Sequence, residues 1–281
     1  MKNVLYIDKP SGMTSFDVCA ALRPVFGTRS IGHTGTLDPN ATGVMIILLN
    51  KATKANQFLV TDRKEYIAEA RLGQETDTLD IDGKLIREEE IKLFGEEEAK
   101  EVFASFLGTS LQTPPMTSAI KVKGKKLYEY QREGKEVEIP VREITVYALE
   151  LLSLREDTIR FRAEVSSGTY IRVLMKDILA RLNNIGTLTS LCRSRIDDVA
   201  LSDCDSLEEV RKGNYHLHSL CELLEKRYVT VEVEDDRDIR NGKALSLDCG
   251  AERVFLKKGE TPLAVCEKRE DGKYHSLRGL F

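Results

Sequence analysis

GHTGTLDPNATGVMIILL, residues 32–49, decides how this chain is built. Its first twelve residues hold three glycines, three threonines, one histidine and the pair Asp38-Pro39. Gly32, Gly35 and Gly43 free the backbone for unusual dihedrals or close approach to a ligand. Pro39 removes a donor and pushes Asp38 out of the helical region. The run Val44–Leu49 is almost wholly apolar and reads as a strand buried on both faces. A glycine-rich phosphate cradle would feed a helix N-terminus and, in a P-loop, end in Gly-Lys-Ser/Thr. This loop feeds a strand and has no lysine, which argues against nucleotide binding. What remains is one carboxylate on a rigid, extended turn beside a core strand. The plain reading is an Asp-Pro turn opener. The sharper one is a fixed reactive group.

Working outward, YIDKPSGMTSFDVCAALRPVFG (6–27) reads as strand, turn and helix. Thr14 and Asp17 suit a capping box, and Gly27 a helix stop. KEYIAEARLGQETDTLDIDGKLI (64–86) alternates and then turns at Asp82-Gly83, which predicts strands joined by a tight turn. EEEAKEVFASFLG (96–108) predicts a helix with acids in its first turn. Residues 111–140 form a loop-rich basic insertion with a short helical middle. IRFRAEVSSGTYIRVLMKDILARLNNIG (159–186) predicts strand, turn and helix, with Leu174, Ile178 and Leu182 on the buried face and Gly186 as the stop. From about Arg227 the pattern becomes short strands, with turn signals at Asn241-Gly242, Lys258-Gly259 and Asp271-Gly272. The chain therefore divides into residues 1–226 and a small β domain at 227–281.

The 281 residues are 41% hydrophobic and 31% charged, as in a soluble globular protein with a substantial core. The net charge of -4 does not announce a nucleic-acid partner. Its distribution is uneven. Glu75–Glu101 carries eleven acids against four bases, and Lys121–Lys135 six bases against two acids. A solvated charged face explains such a run, and so does an electrostatic footprint. The six cysteines form no CxxC pair, which suits reduced thiols in a cytoplasmic protein. The start MKNVLYIDKP lacks an apolar signal region and no run approaches membrane-spanning length, so no membrane association is expected. His216, His218 and Cys221, with Cys204 upstream, make a zinc pattern without a second half. Asp80, Asp82, Gly83 and Glu89 match calcium-loop offsets, but Thr78 stands where the first aspartate belongs and the flanks read as strands. Neither metal is expected.

Two further stretches bear on Asp38. SSGTYIR (166–172) places Tyr170 and Arg172 at a strand-to-helix junction, where sites are often lined. RKEYIAEARLG (63–73) places Tyr66 near the start of a strand. Alone, Arg172 reads as a surface residue and Tyr66 as a β-favouring aromatic. Together with IDKPSGMTSFD (7–17), GHTGTLDPNATG, EYIAEARLGQETDTLDIDG (65–83), TPPMTSAIKVKGKKLYEYQREG (113–134), SSGTYIRVLMKDI (166–178) and IGTLTSLCRSRI (185–196), in that order, they resemble the bacterial tRNA pseudouridine synthase B family. The resemblance spans Asn3 to Ile196. The last strands resemble that family's small PUA-like module, chiefly through RDIRNGKAL (237–245).

The resemblance implies an α+β fold, a mixed and mostly antiparallel central sheet with flanking helices, plus the appended β domain. It implies isomerisation of the T-loop uridine at position 55 of tRNA to pseudouridine, by a monomer without a cofactor. Asp38 would be the nucleophile, attacking ribose C1′ or uracil C6. Tyr66 would stack on the flipped base and assist late proton transfer, while Arg172 pairs with Asp38. Tyr170 and the backbone at Leu191 would hold the uracil, and His33 would fill the gap left by the base. Lys9, with Pro10 and Gly12, matches the family's first motif on the substrate side. Lys121, Lys123, Lys125 and Lys126 in the insertion would meet phosphates of the T-arm. The physics suits these roles: a guanidinium keeps a half-buried carboxylate ionised, and an aromatic face receives an extruded base. The competing reading is a catalytically silent tRNA-binding or tRNA-folding module, which has no need of the carboxylate.

Overall fold

The computed structural model describes residues 2–59, 63–118, 120–135 and 137–281. Of the basic insertion, positions 119 and 136 lie outside the described residues. Two compact units result. One is Met1–Pro39 with Gly43–Thr61 and Leu201–Phe281, and the other is Asn40–Thr42 with Asp62–Ala200.

The first unit is built on the predicted buried strand. Thr42–Leu49 runs antiparallel to Lys2–Lys9, with Val4 opposite Leu48 and Lys9 opposite Gly43. Ile31–His33 pairs with it antiparallel, His33 opposite Ile47. On its other edge Lys2–Lys9 takes Asp205–Ser206 in parallel and Leu217–Ser219 antiparallel, so the sheet is mixed. Val44–Leu49 is buried throughout, as an apolar run covered on both faces must be. The helix Ser15–Phe26 starts at Thr14, whose side chain accepts from Asp17 N while Asp17 answers Thr14 N, the expected capping box. Gly27 closes it in the left-handed conformation at φ 59°. His218 stacks on Tyr6 with ring centroids 3.9 Å apart, so that ring is committed to packing.

The C-terminal strands form a sheet of their own. Val229–Glu232 lies parallel to Arg253–Lys258, followed antiparallel by Thr261–Lys268 and Tyr274–Gly279. Gly259 and Gly272, at φ 54° and 75°, turn its two hairpins as expected. Gly242 instead follows a short helix, Arg237–Arg240, that the turn signal alone did not reveal.

The second unit is built on antiparallel strands in the order Gly186–Ile196, Arg63–Leu72, Thr158–Ser166, Arg142–Leu154 and Gly108–Gln112, with the short Val199–Ala200 also paired to the first. Arg63–Leu72 is its spine. Tyr66, Ala68, Ala70 and Leu72 are buried on one face. On the other, Glu65 accepts from Arg162 at 2.8 Å, Arg195 at 2.9 Å and Ser194 at 2.8 Å. The helices Glu96–Ser105 and Ile171–Arg181 flank this sheet, and Phe103 meets Phe161 edge-on at 5.9 Å between centroids. Gln74–Thr76 and Leu85–Glu88 form a hairpin, joined by the loop of residues 77–84 and not by the expected tight turn. The mixed, mostly antiparallel architecture with flanking helices is as expected. Gly186 differs from its assigned role: the helix ends at Arg181, and Gly186 opens the next strand.

At Gly186 a Cβ would stand 2.3 Å from Leu179 Cδ1 and 2.8 Å from Arg71 O. The second neighbour is backbone and cannot step aside. Gly186→Ala therefore destabilises the protein by about 1–3 kcal/mol, read as a lower urea midpoint at unchanged slope.

Candidate active site

Asp38 sits half-buried on a turn that the preceding motif ties down at both flanks. Lys9, fully buried at the end of its strand, donates to Pro39 O at 2.8 Å, Pro10 O at 2.8 Å and Met13 O at 2.6 Å. Three carbonyls match the three N–H of an ammonium. Gly12, at φ 81°, gives its N–H to Pro39 O at 3.0 Å. On the other flank the Ser15 hydroxyl accepts from Leu37 N at 2.9 Å and donates to Leu37 O at 3.2 Å. Leu37 and Pro39 are thus held on either side of Asp38. Thr34 N extends the ladder from His33 by donating to Ile46 O at 3.1 Å. Lys9 accordingly serves the loop through these carbonyls.

In the second unit, Arg172 lies in the first turn of Ile171–Arg181 and is 5% exposed, which excludes the plain surface reading. Its Nη1 donates to Thr78 O at 2.8 Å and Thr117 Oγ1 at 2.9 Å, and lies 3.2 Å from Asp80 Oδ2. A buried guanidinium needs such partners to offset lost hydration. The hairpin loop that supplies Thr78 and Asp80 is shaped from within. Asp80 Oδ1 accepts from Thr78 Oγ1 at 2.6 Å and Asp82 N at 3.1 Å, and Asp77 Oδ1 accepts from Lys84 N at 2.8 Å. Gly83 has no room for a Cβ, which would stand 2.3 Å from Thr78 Oγ1. Asp82 also accepts from the amide of Asn40, two residues past Asp38. Tyr170, at the cap of the Arg172 helix, is fixed by the Gln112 amide, which accepts from Tyr170 N at 2.8 Å and donates to Tyr170 O at 3.2 Å.

Tyr66 is 7% exposed in mid-sheet, opposite Ala163 on one side and the fully buried Arg193 on the other. Leu191 sits opposite Ala68 on the same neighbouring strand, between two register shifts that bend it. The insertion is more ordered than expected. Lys121–Val122 and Lys125–Lys126 form a hairpin turned by Lys123 and Gly124, both at positive φ (49° and 84°). The helix Leu127–Arg132 follows. Lys121 and Lys123 are exposed. Lys125 pairs with Glu133 and lies over the Tyr130 ring, and Lys126 lies over Tyr128.

The first unit therefore assembles Lys9, His33 and the Asp38 turn, and the second Tyr66, Tyr170, Arg172 and Leu191. Sequence reading missed Ser15, Gln112 and Thr117, which carry no motif signal of their own. It weighed Asp80 only as an ion ligand, whereas Asp80 faces Arg172. The Lys123-Gly124 pair was the available signal for the hairpin.

Residues 23–171, just over half of the chain, match the model described as TruB family pseudouridylate synthase (N terminal domain). The chain is 38% identical over 255 residues, 90% of each partner, to tRNA pseudouridine synthase B of Caldanaerobacter subterraneus subsp. tengcongensis. It is 42% identical to that of Bacillus cereus, covering 95% of this chain and 92% of the relative. Among solved structures, a chain of a Cbf5-Nop10-Gar1 complex superposes with a TM-score of 0.74 at 22% identity, covering 99% of this chain and 85% of that one, which bears on the fold.

Lys9→Met preserves the length of the side chain but strands the carbonyls of Pro10, Met13 and Pro39. The expected loss is about 2–4 kcal/mol of unfolding free energy, from the cost of leaving buried acceptors unmet. Urea denaturation measures it, and a loss well under 1 kcal/mol would remove Lys9 from the clamp.

Proposed function

This chain belongs to the TruB family of pseudouridylate synthases, and on that premise we propose that it is a tRNA pseudouridine synthase acting on the T-loop uridine at position 55. The reaction is an isomerisation. The glycosidic C–N bond breaks, the uracil turns over, and its C5 joins the sugar, so no atom is gained or lost.

Asp38 is the nucleophile, toward ribose C1′ or uracil C6. The observation that carries this reading is the double clamp on its turn: Leu37 held by Ser15, and Pro39 held by Lys9 and Gly12. A turn that merely reversed the chain would not need a buried ammonium. One carboxylate suffices for covalent attack at a single carbon. Arg172 is the cation that keeps it ionised, in the same way that it already faces Asp80. The uridine must leave the T-loop stack, at a cost of a few kcal/mol. Stacking on Tyr66 recovers about 1–3 kcal/mol of that. Tyr66 then assists the late proton transfer, Tyr170 and the Leu191 backbone hold the uracil, and His33 occupies the space the base vacated. The insertion around residues 111–140 grips the T-arm, with the exposed Lys121 and Lys123 contributing more than the internally engaged Lys125 and Lys126. Residues 227–281 act as a PUA-like RNA-binding module. We place the enzyme in the cytoplasm as a monomer. Among the described residues no helix is long and apolar enough to cross a membrane.

Incubation of a T-arm stem-loop with the protein should yield a carbodiimide-resistant pseudouridine at the expected position. Asp38→Asn should leave none, with stem-loop affinity within about threefold of wild type; near-normal turnover would dismiss Asp38. Lys123→Ala should lower the slope of log affinity against log salt by roughly one. An unchanged slope would put the RNA elsewhere.

A further inference from the structure

Lys64 stands two residues before Tyr66 on the Arg63–Leu72 strand, so both side chains leave the same face. Charge is sorted across this strand. The opposite face carries Glu65, already satisfied by Arg162 and Arg195. The face of Lys64 carries Tyr66, Ala68 and Ala70. Its register partners, Val165 and Ile196, are fully buried and uncharged. The charged groups that face it are Arg193, itself fully buried, and Asp197, whose Oδ1 accepts from Arg63 N at 2.9 Å. Among the described residues the Lys64 ammonium makes no hydrogen bond and no ion pair within 4.0 Å. Burial, with added repulsion from Arg193 and an opposing pull from Asp197, brings its ammonium down to about 8. A cation held against burial and like charge is stabilised when an anion arrives from outside.

We propose that Lys64 is a binding residue of the Tyr66 face, and that its ligand is the phosphodiester of the very nucleotide whose base Tyr66 receives. Neighbouring positions on one strand face are about 7 Å apart, comparable with the separation of a base from its own phosphate. Phosphate contacts of this kind set register without reading sequence. A cation at this position would select for the extruded nucleotide, unlike the insertion lysines, which meet the arm. The proposal rests on the function proposed above and adds a phosphate subsite to it.

Three measurements on the full chain with a T-arm stem-loop test this. Lys64→Met should bind about tenfold more weakly, with a salt slope lower by about 0.7–0.9. Lys64→Arg should restore most of both. A stem-loop with one neutral methylphosphonate at the target uridine should lose the same factor against wild type and nothing further against Lys64→Met, which separates this phosphodiester from free phosphate or other linkages. Wild-type affinity should fall as pH passes about 8, where the ammonium loses its proton, whereas Lys64→Arg stays flat to about pH 9. Should Lys64→Met fail to fold, the methylphosphonate and pH arms on wild type still decide. Additive losses from the variant and the modified RNA, or a wild-type affinity indifferent to both pH and methylphosphonate, would overturn the proposal. If pseudouridine forms while these effects are absent, only the phosphate subsite falls; if the effects appear without pseudouridine, the isomerase reading falls instead.

Discussion

One buried ammonium organises the first unit. Lys9 ends a core strand with its charge inside the protein, where an unsolvated cation is costly. Three backbone carbonyls replace its water: two from the turn that follows it, and one from Pro39, thirty positions on. That single group joins two irregular segments that have few apolar side chains to pack. Gly12 and Ser15 add neutral bonds to the same junction. The carboxylate between Leu37 and Pro39 then inherits a fixed backbone, and the loop needs no core of its own. A rigid acid is what the covalent attack proposed for Asp38 demands, because misplacement by about 1 Å costs catalysis heavily.

The second unit solves a similar problem with the opposite chemistry. Its irregular connection is the Gln74–Glu88 hairpin loop. Arg172 enters that loop from a helix and binds a carbonyl, a hydroxyl and the Asp80 carboxylate. Of the carboxylates at calcium-loop offsets, Asp80 is engaged by the Thr78 hydroxyl, Asp82 N and this guanidinium, and Asp82 accepts from the Asn40 amide. A planar, always-charged fork suits a position that must serve several acceptors in a dry setting. Tyr66 sits on the buried face of the spine strand, between Ala163 and Arg193 of its two neighbours.

Positive charge is used in three distinct ways. Lys9 is consumed by carbonyls and holds shape. Arg172 is shared among fixed acceptors. The exposed lysines of the hairpin tip remain in solvent, where their interactions are screened by salt and contribute mainly to encounter and affinity. Lys64 belongs to none of these groups, being neither exposed nor matched by a fixed acceptor among the described residues.

The local elements were legible because their causes are local. The Thr14–Asp17 capping box acts over three residues, the Gln74–Glu88 hairpin over one loop, and the burial of Val44–Leu49 follows from an apolar run too long for one face. The ordered motifs were specific enough to name candidates and the sheet class. What the sequence could not decide was the direction of long polar side chains. Lys9 looks the same whether it meets phosphate or carbonyl, and Arg172 whether it meets water or Asp80. Only the tertiary structure brings together positions tens of residues apart, such as Arg172 with Thr78 and Tyr170 with Gln112. The physical reason is range. Propensity, capping and periodicity act within a few residues, whereas the cost of burying a charge depends on every group that folding brings near it.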